Sequence, residues 1–316
     1  MSRVVDRNFV FEALERDVFR KVMRQLEAFS GVRVLTWTIL SNHFHLLLEV
    51  PPRPVVALTD AEILDRCRYL YSENALVQVE AEFEDARRLG DVPLQRVREK
   101  YLKRMWDLSE FMKTLKQKFT AWFNRSRGRV GTLWESRFKS VIVEGSWESL
   151  LKVAAYIDLN AVRAGLVDDP KDYSWCGYAE AVVGHRLARE GLAAMLTGLK
   201  PGATWGDVGP RYRKILFGVG EENPVRAGLS REAVAEVWRA GGRLSLAQLL
   251  RCRVRYMTDG MAIGSRAFLE KLLVEKASLF SMKRKSVARP MKGGDWGGMR
   301  TARALKLGAI APAGDG

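Results

Sequence analysis

Between Val34 and Val50 the chain alternates in polarity and is rich in β-branched and aromatic residues, a pattern that predicts strand. Residues two apart on a strand share a face. Leu40, Phe44, Leu46, Leu48 and Val50 therefore form one apolar face, and His43 and His45 point together from the other. Ahead of this segment, Ala13 to Phe29 places charged and apolar residues at helical spacing, with Gly31 as a stop; Val32 to Val50 then makes two strands or one long bent one. Pro51 to Asp107 is charged and helical in pattern and reads as an insertion without recognisable chemistry. Leu108 to Asn124 predicts a further amphipathic helix, and Thr132 to Val143 a strand or hairpin. A helix follows from Trp147 to about Val167, with Ser146 as N-cap and Gly165 near its end. Its core face is Leu150, Val153, Ala154, Ile157, Ala161 and Ala164; Lys152, Tyr156, Asn160 and Arg163 lie to one side of that face. Tyr156 and Asn160, four residues apart, are neighbours on the helix surface.

This order of elements predicts an α+β fold in which an antiparallel sheet carries its helices on one face. The expected division is a first domain over residues 1–185, with the helical insertion at about 51–107, then a helical linker region over 186–240 and a mostly helical C-terminal region over 241–316. In the last of these, Leu244 to Tyr256 and Ser265 to Lys276 read as two helices joined through Asp259-Gly260. That spacing suits a helix-turn-helix, and equally an ordinary helical hairpin. The tail offers Lys283, Arg284, Lys285, Arg289, Lys292, Arg300, Arg303 and Lys306, either as a phosphate-contacting arm or as a merely solvated end.

Charge narrows the partners. A net charge of +15 favours a polyanion. Lys113, Lys116, Lys118 and Arg125 follow one another along a predicted helix, and Arg127, Arg129, Arg137 and Lys139 flank Trp134 and Phe138. Cations interleaved with aromatics suit single-stranded nucleic acid, whose phosphates need charge and whose bases need stacking surfaces; each aromatic taken alone is equally a core residue. Cys67, Cys176 and Cys252 are far apart and odd in number, so neither a disulfide framework nor a zinc site follows, which fits a reducing cytoplasm. The first residues show no signal-peptide core and no apolar run reaches membrane-spanning length, so a cytoplasmic protein without a membrane partner is expected.

Two of the three histidines of the chain are His43 and His45. Two imidazoles side by side on a strand are placed to grip one metal ion, or are simply a pair of partly exposed strand residues. Tyr156, by its position alone, is a tyrosine at the margin of a core.

Taken together, the His-Phe-His strand, the run Gly131-Thr132-Leu133-Trp134-Glu135-Ser136-Arg137-Phe138-Lys139 and the segment Tyr156-Ile157-Asp158-Leu159-Asn160-Ala161-Val162-Arg163-Ala164-Gly165-Leu166-Val167 resemble the REP-associated tyrosine transposases. These belong to the HUH single-tyrosine transposases, which handle single-stranded DNA. The resemblance covers roughly residues 1–185. It departs at Ala161, where the family usually carries proline, and at the front, where relatives have a strand ahead of the Ser-Arg-x-x-Asp-Arg segment and this chain has only Met1 to Arg7.

The resemblance implies a ferredoxin-like antiparallel sheet, the HUH endonuclease fold, with the histidine strand beside the tyrosine helix. It implies that Tyr156 is the nucleophile, forming a 5′-phosphotyrosine link and releasing a 3′-hydroxyl, and that His43 and His45 hold a divalent metal with Asn160 as third ligand. By resemblance that metal is Mg²⁺ or Mn²⁺; ligand softness by itself leaves its identity open. The partner is single-stranded or hairpin DNA of the repetitive extragenic palindrome type, handled by a monomer or homodimer associated with the nucleoid. Candidate DNA contacts are Lys113, Lys116, Arg137, Lys139, Lys152, Arg163, Lys283, Arg284 and Lys285, and the region from about residue 241 is expected to anchor DNA without taking part in chemistry. Two other classes compete: a domesticated sequence-specific DNA-binding protein without turnover, and a relaxase or replication initiator, which shares the histidine pair but usually differs in motif order or carries paired tyrosines.

Overall fold

The computed structural model describes residues 1–218, 231–239, 244–276, 288–302 and 310–311. The chain opens with strand β1 (Ser2–Arg3), helix α1 (Ala13–Ser30) and strands β2 (Arg33–Ile39) and β3 (His43–Glu49). Helices α2 (Asp60–Leu70), α3 (Glu73–Leu89), α4 (Asp91–Leu102) and α5 (Leu108–Ser126) follow, then strand β4 (Ile142–Val143), helix α6 (Trp147–Asp158) and the helical turn α7 (Asn160–Arg163). Next come α8 (Gly177–Val182), α9 (Arg186–Ala194), α10 (Trp205–Phe217) and α11 (Arg231–Arg239). The last stretch holds α12 (Leu246–Leu250), β5 (Arg253–Val254), α13 (Tyr256–Asp259), β6 (Ala262–Gly264), α14 (Arg266–Glu275), β7 (Arg289–Pro290), β8 (Arg300–Thr301) and β9 (Ile310–Ala311).

The fold is mixed α+β. Its sheets are β1-β3-β2, β4-β6-β8-β7 and the pair β5-β9. Strand β3 is central in the first, paired antiparallel to β1 with Arg3 opposite His43. A short turn returns β2 into β3, closed by the Leu40 N–H on the His43 carbonyl at 2.8 Å. The strand or hairpin expected over 132–143 is much reduced. Only β4 forms, and it runs parallel to β6 instead of joining the sheet of β3. The polar run Glu135 to Lys139 and the left-handed Gly131 interrupt the alternation a strand needs. What persists is a bridge between Val4 and Trp134, the Val5 N–H on the Leu133 carbonyl at 3.0 Å, and the Lys139 N–H on the Met1 carbonyl at 2.9 Å.

Contacts gather the chain into two compact units: residues 1–3, 35–47 and 136–316, and residues 4–34 and 48–135. In the second unit α1 packs on α2 and α5, so the segment expected as an insertion is joined to the first helix of the chain. Gly31 ends α1 in the left-handed region, its N–H on the Glu27 carbonyl; a Cβ there would also stand 2.6 Å from the Trp106 ring nitrogen. Phe11 stacks on Phe119 at 5.1 Å, with Phe19 and Trp134 against the same cluster. Trp134 is a core residue here. Its ring N–H donates to Thr120 Oγ1 at 2.8 Å, and the Lys116 ammonium sits over the ring.

The first unit is built on α6. Leu35, Leu40 and Leu47 of the hairpin share one core with Ala154 and Ile157 of α6, Tyr212 of α10 and Leu250 and Val254 downstream. Ser146 caps α6 as expected, accepting from the Ser149 N–H. The single helix expected to run through to about residue 167 turns at Leu159 (φ −76°, ψ 2°). At that point the Ile157 carbonyl is claimed by two side chains, Thr38 Oγ1 at 2.8 Å and Asn160 Nδ2 at 3.2 Å. Side-chain donors competing for a helical carbonyl distort the ladder, which accounts for the break.

The C-terminal region also differs from expectation. Where a helix over Leu244 to Tyr256 and a turn through Asp259-Gly260 were expected, helix α12 ends at Leu250 and is followed by β5, α13 and β6, and β6 is hydrogen-bonded into the four-stranded sheet. Segments as short as Arg251 to Val254 do not separate strand from helix by periodicity. Arg289 and Arg300, expected in a basic tail, belong to β7 and β8 of that sheet.

Candidate active site

The histidine pair, Tyr156, Asn160 and Arg163 come together inside the first unit. His43 and His45 follow each other on one face of β3, ring centres 5.3 Å apart and nearly perpendicular at 78°. The Tyr156 ring stands edge-on to His45, centre to centre 6.4 Å. The histidine face was expected to look away from the core. Instead α6 covers it: His45 is 6% exposed and Tyr156 2%, while Phe44 on the opposite face is fully buried. Strand β3 therefore has apolar cover on both sides where the imidazoles lie.

Both imidazoles are held neutral. Burial lowers His43 to about 3, helped by the guanidiniums of Arg3, Arg163 and Arg253. Burial likewise lowers His45 well below its usual value, with His43 the next cause. His43 Nδ1 lies 2.6 Å from the Asn42 side-chain oxygen. An oxygen can only accept, so Nδ1 carries the proton and Nε2 keeps the lone pair.

Fit to a metal can be tested on this geometry. Two imidazoles on one ion at nitrogen–metal distances of about 2.1 Å bring their ring centres to about 5 Å. The observed spacing matches, and neutral imidazole is the ligating form. Asn160, the expected third ligand, is 7% exposed and committed elsewhere. Its amide donates to the Ile157 carbonyl, and its oxygen accepts from Arg163 Nη2 at 2.6 Å. Among the described residues no group of three or more His, Cys, Asp or Glu side chains is placed to hold a metal.

Arg163, named above as a candidate DNA contact, lies inside the unit. It is 7% exposed and donates to the carbonyls of Leu250 and Tyr156, each at 2.7 Å, as well as to Asn160. Its guanidinium lies 3.9 Å over the Tyr156 ring, a cation–π contact. A buried guanidinium must be compensated, and three oxygens and a π face do so here. The C-terminal region, expected to anchor DNA without taking part in chemistry, also reaches these residues with its backbone. Leu250 supplies one of those oxygens, and the Val254 N–H approaches the Tyr156 hydroxyl at 3.4 Å.

Lys113 is exposed and pairs with Glu110, and Lys116 is half-buried over Trp134. Arg137 is exposed; Lys139 is exposed and pairs with Asp259 at 2.9 Å. Lys152 is half-buried, its ammonium donating to the Trp296 carbonyl at 3.0 Å. Lys283, Arg284 and Lys285, with Arg303 and Lys306, lie outside the described residues.

A buried polar network that the sequence reading assigned no role fixes α6 against the hairpin. Asp158 accepts from Thr36 Oγ1 at 2.8 Å, Tyr212 Oη at 2.5 Å and the Tyr178 N–H at 3.3 Å. Thr38 holds the Ile157 carbonyl, and Trp37 donates to Glu180. Thr36 and Thr38 alternate with the apolar positions of β2, the one signal by which their partnership with α6 was legible. No family model, curated protein or solved structure matches the chain.

Proposed function

We propose that this protein is a REP-associated tyrosine transposase, cleaving and rejoining hairpin-forming single-stranded DNA through a phosphotyrosine intermediate. The observation that carries the reading is the placement of Tyr156 edge-on to His45, 6.4 Å away, by elements more than a hundred residues apart in sequence. The antiparallel sheet order β1-β3-β2, with β3 central, is compatible with three strands of a ferredoxin-like sheet.

In this reading the Tyr156 phenol oxygen attacks the phosphorus, the 3′-oxygen leaves as a hydroxyl, and the phosphodiester survives as a tyrosyl ester. A second 3′-hydroxyl reverses the step, so resealing needs no nucleotide cofactor. Arg163 holds the phenol ring by its face and the helix by the Tyr156 carbonyl. His43 and His45 would hold the divalent ion, Mg²⁺ or Mn²⁺, and Asn160 would join them once released from Arg163. A bound ion would supply charge neutralisation at the scissile phosphate. The net charge of +15 favours the polyanion. Among the described residues no helix is long and apolar enough to cross a membrane.

The test is incubation with labelled hairpin-bearing single strands and Mn²⁺, followed by a denaturing gel. A covalent protein–DNA band is expected. Tight binding of hairpins with no band under any divalent metal would replace the transposase by a DNA-binding protein without turnover, the reading that the low exposure of Tyr156 favours next.

A further inference from the structure

Three arginines belong to the elements that hold the histidine pair and Tyr156: Arg163 of α7, Arg3 of β1 and Arg253 of β5. Arg163 is bonded to Leu250, Tyr156 and Asn160. Arg3 lies directly across the β1–β3 ladder from His43, and directly opposed residues in an antiparallel pair project their side chains from the same face. Arg253 immediately precedes Val254, whose N–H approaches the Tyr156 hydroxyl at 3.4 Å. Both arginines are half-buried. Guanidinium keeps its charge at any working pH, so these arginines make the place positive.

Guanidinium is the side-chain group best matched to phosphate. Its planar fork meets two oxygens at once, keeps its charge at any working pH and is more easily desolvated than an ammonium. We propose that Arg3 and Arg253 clamp the non-bridging oxygens of the phosphodiester that Tyr156 attacks, so that the N-terminal strand and the C-terminal region together complete the site. This rests on the single-strand-cleaving reading above. Negative charge on those oxygens is redistributed as the phenol oxygen bonds to phosphorus and the 3′-oxygen departs, and two guanidiniums on those oxygens would stabilise it. The proposal also gives strand β5 a purpose at the tyrosine: it carries a phosphate ligand to the nucleophile.

The experiment uses the full chain and a hairpin-bearing single strand with one methylphosphonate, which replaces a charged oxygen by a neutral methyl. The substitution is placed at the scissile linkage or, as a control, several nucleotides away. Binding is read by anisotropy and cleavage of the all-phosphate strand by single-turnover kinetics. The wild type should bind the scissile methylphosphonate about tenfold or more weakly than the phosphate, the scale of a charge-assisted hydrogen bond. Arg3→Gln and Arg253→Gln should each shrink that ratio and slow cleavage by about 10- to 100-fold, leaving the control ratio as in wild type. Arg253→Lys, which keeps the charge and loses the fork, should fall between and serves where the Gln variant does not fold. Folded variants that cleave at the wild-type rate with undiminished discrimination overturn the clamp and leave the transposase reading standing. Equal losses at both methylphosphonate positions also overturn it, since they mark general phosphate attraction. A wild type that binds such strands without cleaving them or sensing the scissile charge overturns the reading and this inference together.

Discussion

Asp158 shows how a single buried group sets a measurable property. Burial raises its carboxyl to about 7 from a usual 3.8, against the opposing pull of its donors Tyr212, Thr36 and the Tyr178 N–H. The unfolded chain ionises near the lower value, so the stability this group contributes is fully present in acid and is lost as pH rises through the higher one. His43 and His45 work in the opposite sense. With folded values depressed, their contribution is present above the usual 6.5 and is lost as pH falls. Comparison with Asp158→Asn cancels the histidines, since both proteins carry them. The melting temperature of the wild type minus that of the variant should be larger at about pH 5 than at about pH 8; a difference independent of pH would mean the carboxyl ionises normally. At the histidines themselves, alanine at either position should lower Mn²⁺ affinity, read by electron paramagnetic resonance, together with adduct formation. The surrounding guanidiniums repel a dication, so Mn²⁺ should bind the wild type more tightly once an uncleavable strand has neutralised them, by about tenfold for a coupling near 1.4 kcal/mol. Unchanged Mn²⁺ affinity in both alanine variants would make the pair structural.

Among elements of the first unit, α8 approaches β2 closely at Gly177. A Cβ on Gly177 would stand 2.3 Å from Thr36 Oγ1 and 3.1 Å from the Thr36 Cα and the Trp37 nitrogen. Gly177→Ala should therefore displace the hydroxyl that bonds Asp158 and destabilise by about 1–3 kcal/mol, read as a lower urea midpoint. A wild-type midpoint would show that the two elements separate easily. Elements governed by local signals were legible in the sequence: the strand through His43 and His45, the end of α1 at Gly31 and the start of α6 at Ser146 each follow from a pattern within a few residues. Elements governed by distant partners were not. Strand β4 exists because β6 pairs with it from more than a hundred residues away, and β6 itself lies where a turn was expected. The break at Leu159 depends on Thr38, a side chain from another strand.

Across the whole molecule, the sequence identified the residues of the site but not their cover. Tyr156 was expected at a core margin; it is buried in one core with Leu249, Leu250, Val254 and Trp296, none of which any local pattern ties to α6. Deleting residues 245–316 should thus do more than weaken DNA binding. It strips apolar cover from α6 and removes an acceptor from a buried guanidinium, changes that together cost about 3 kcal/mol or more. A calorimetric melting temperature well below that of the full chain is expected; an equal one would mean the preceding residues fold independently of this region. The central claim is that Tyr156 forms the covalent bond to DNA. Trypsin should release it in the peptide running from Val153 to Arg163, in which it is the one tyrosine. The decisive measurement is mass spectrometry of the digested protein–DNA adduct after nuclease trimming. The account predicts a nucleotide mass on that peptide and no adduct from Tyr156→Phe; the mass on a peptide bearing Tyr69, Tyr71, Tyr101, Tyr173 or Tyr178, or undiminished adduct in the Phe variant, would contradict it.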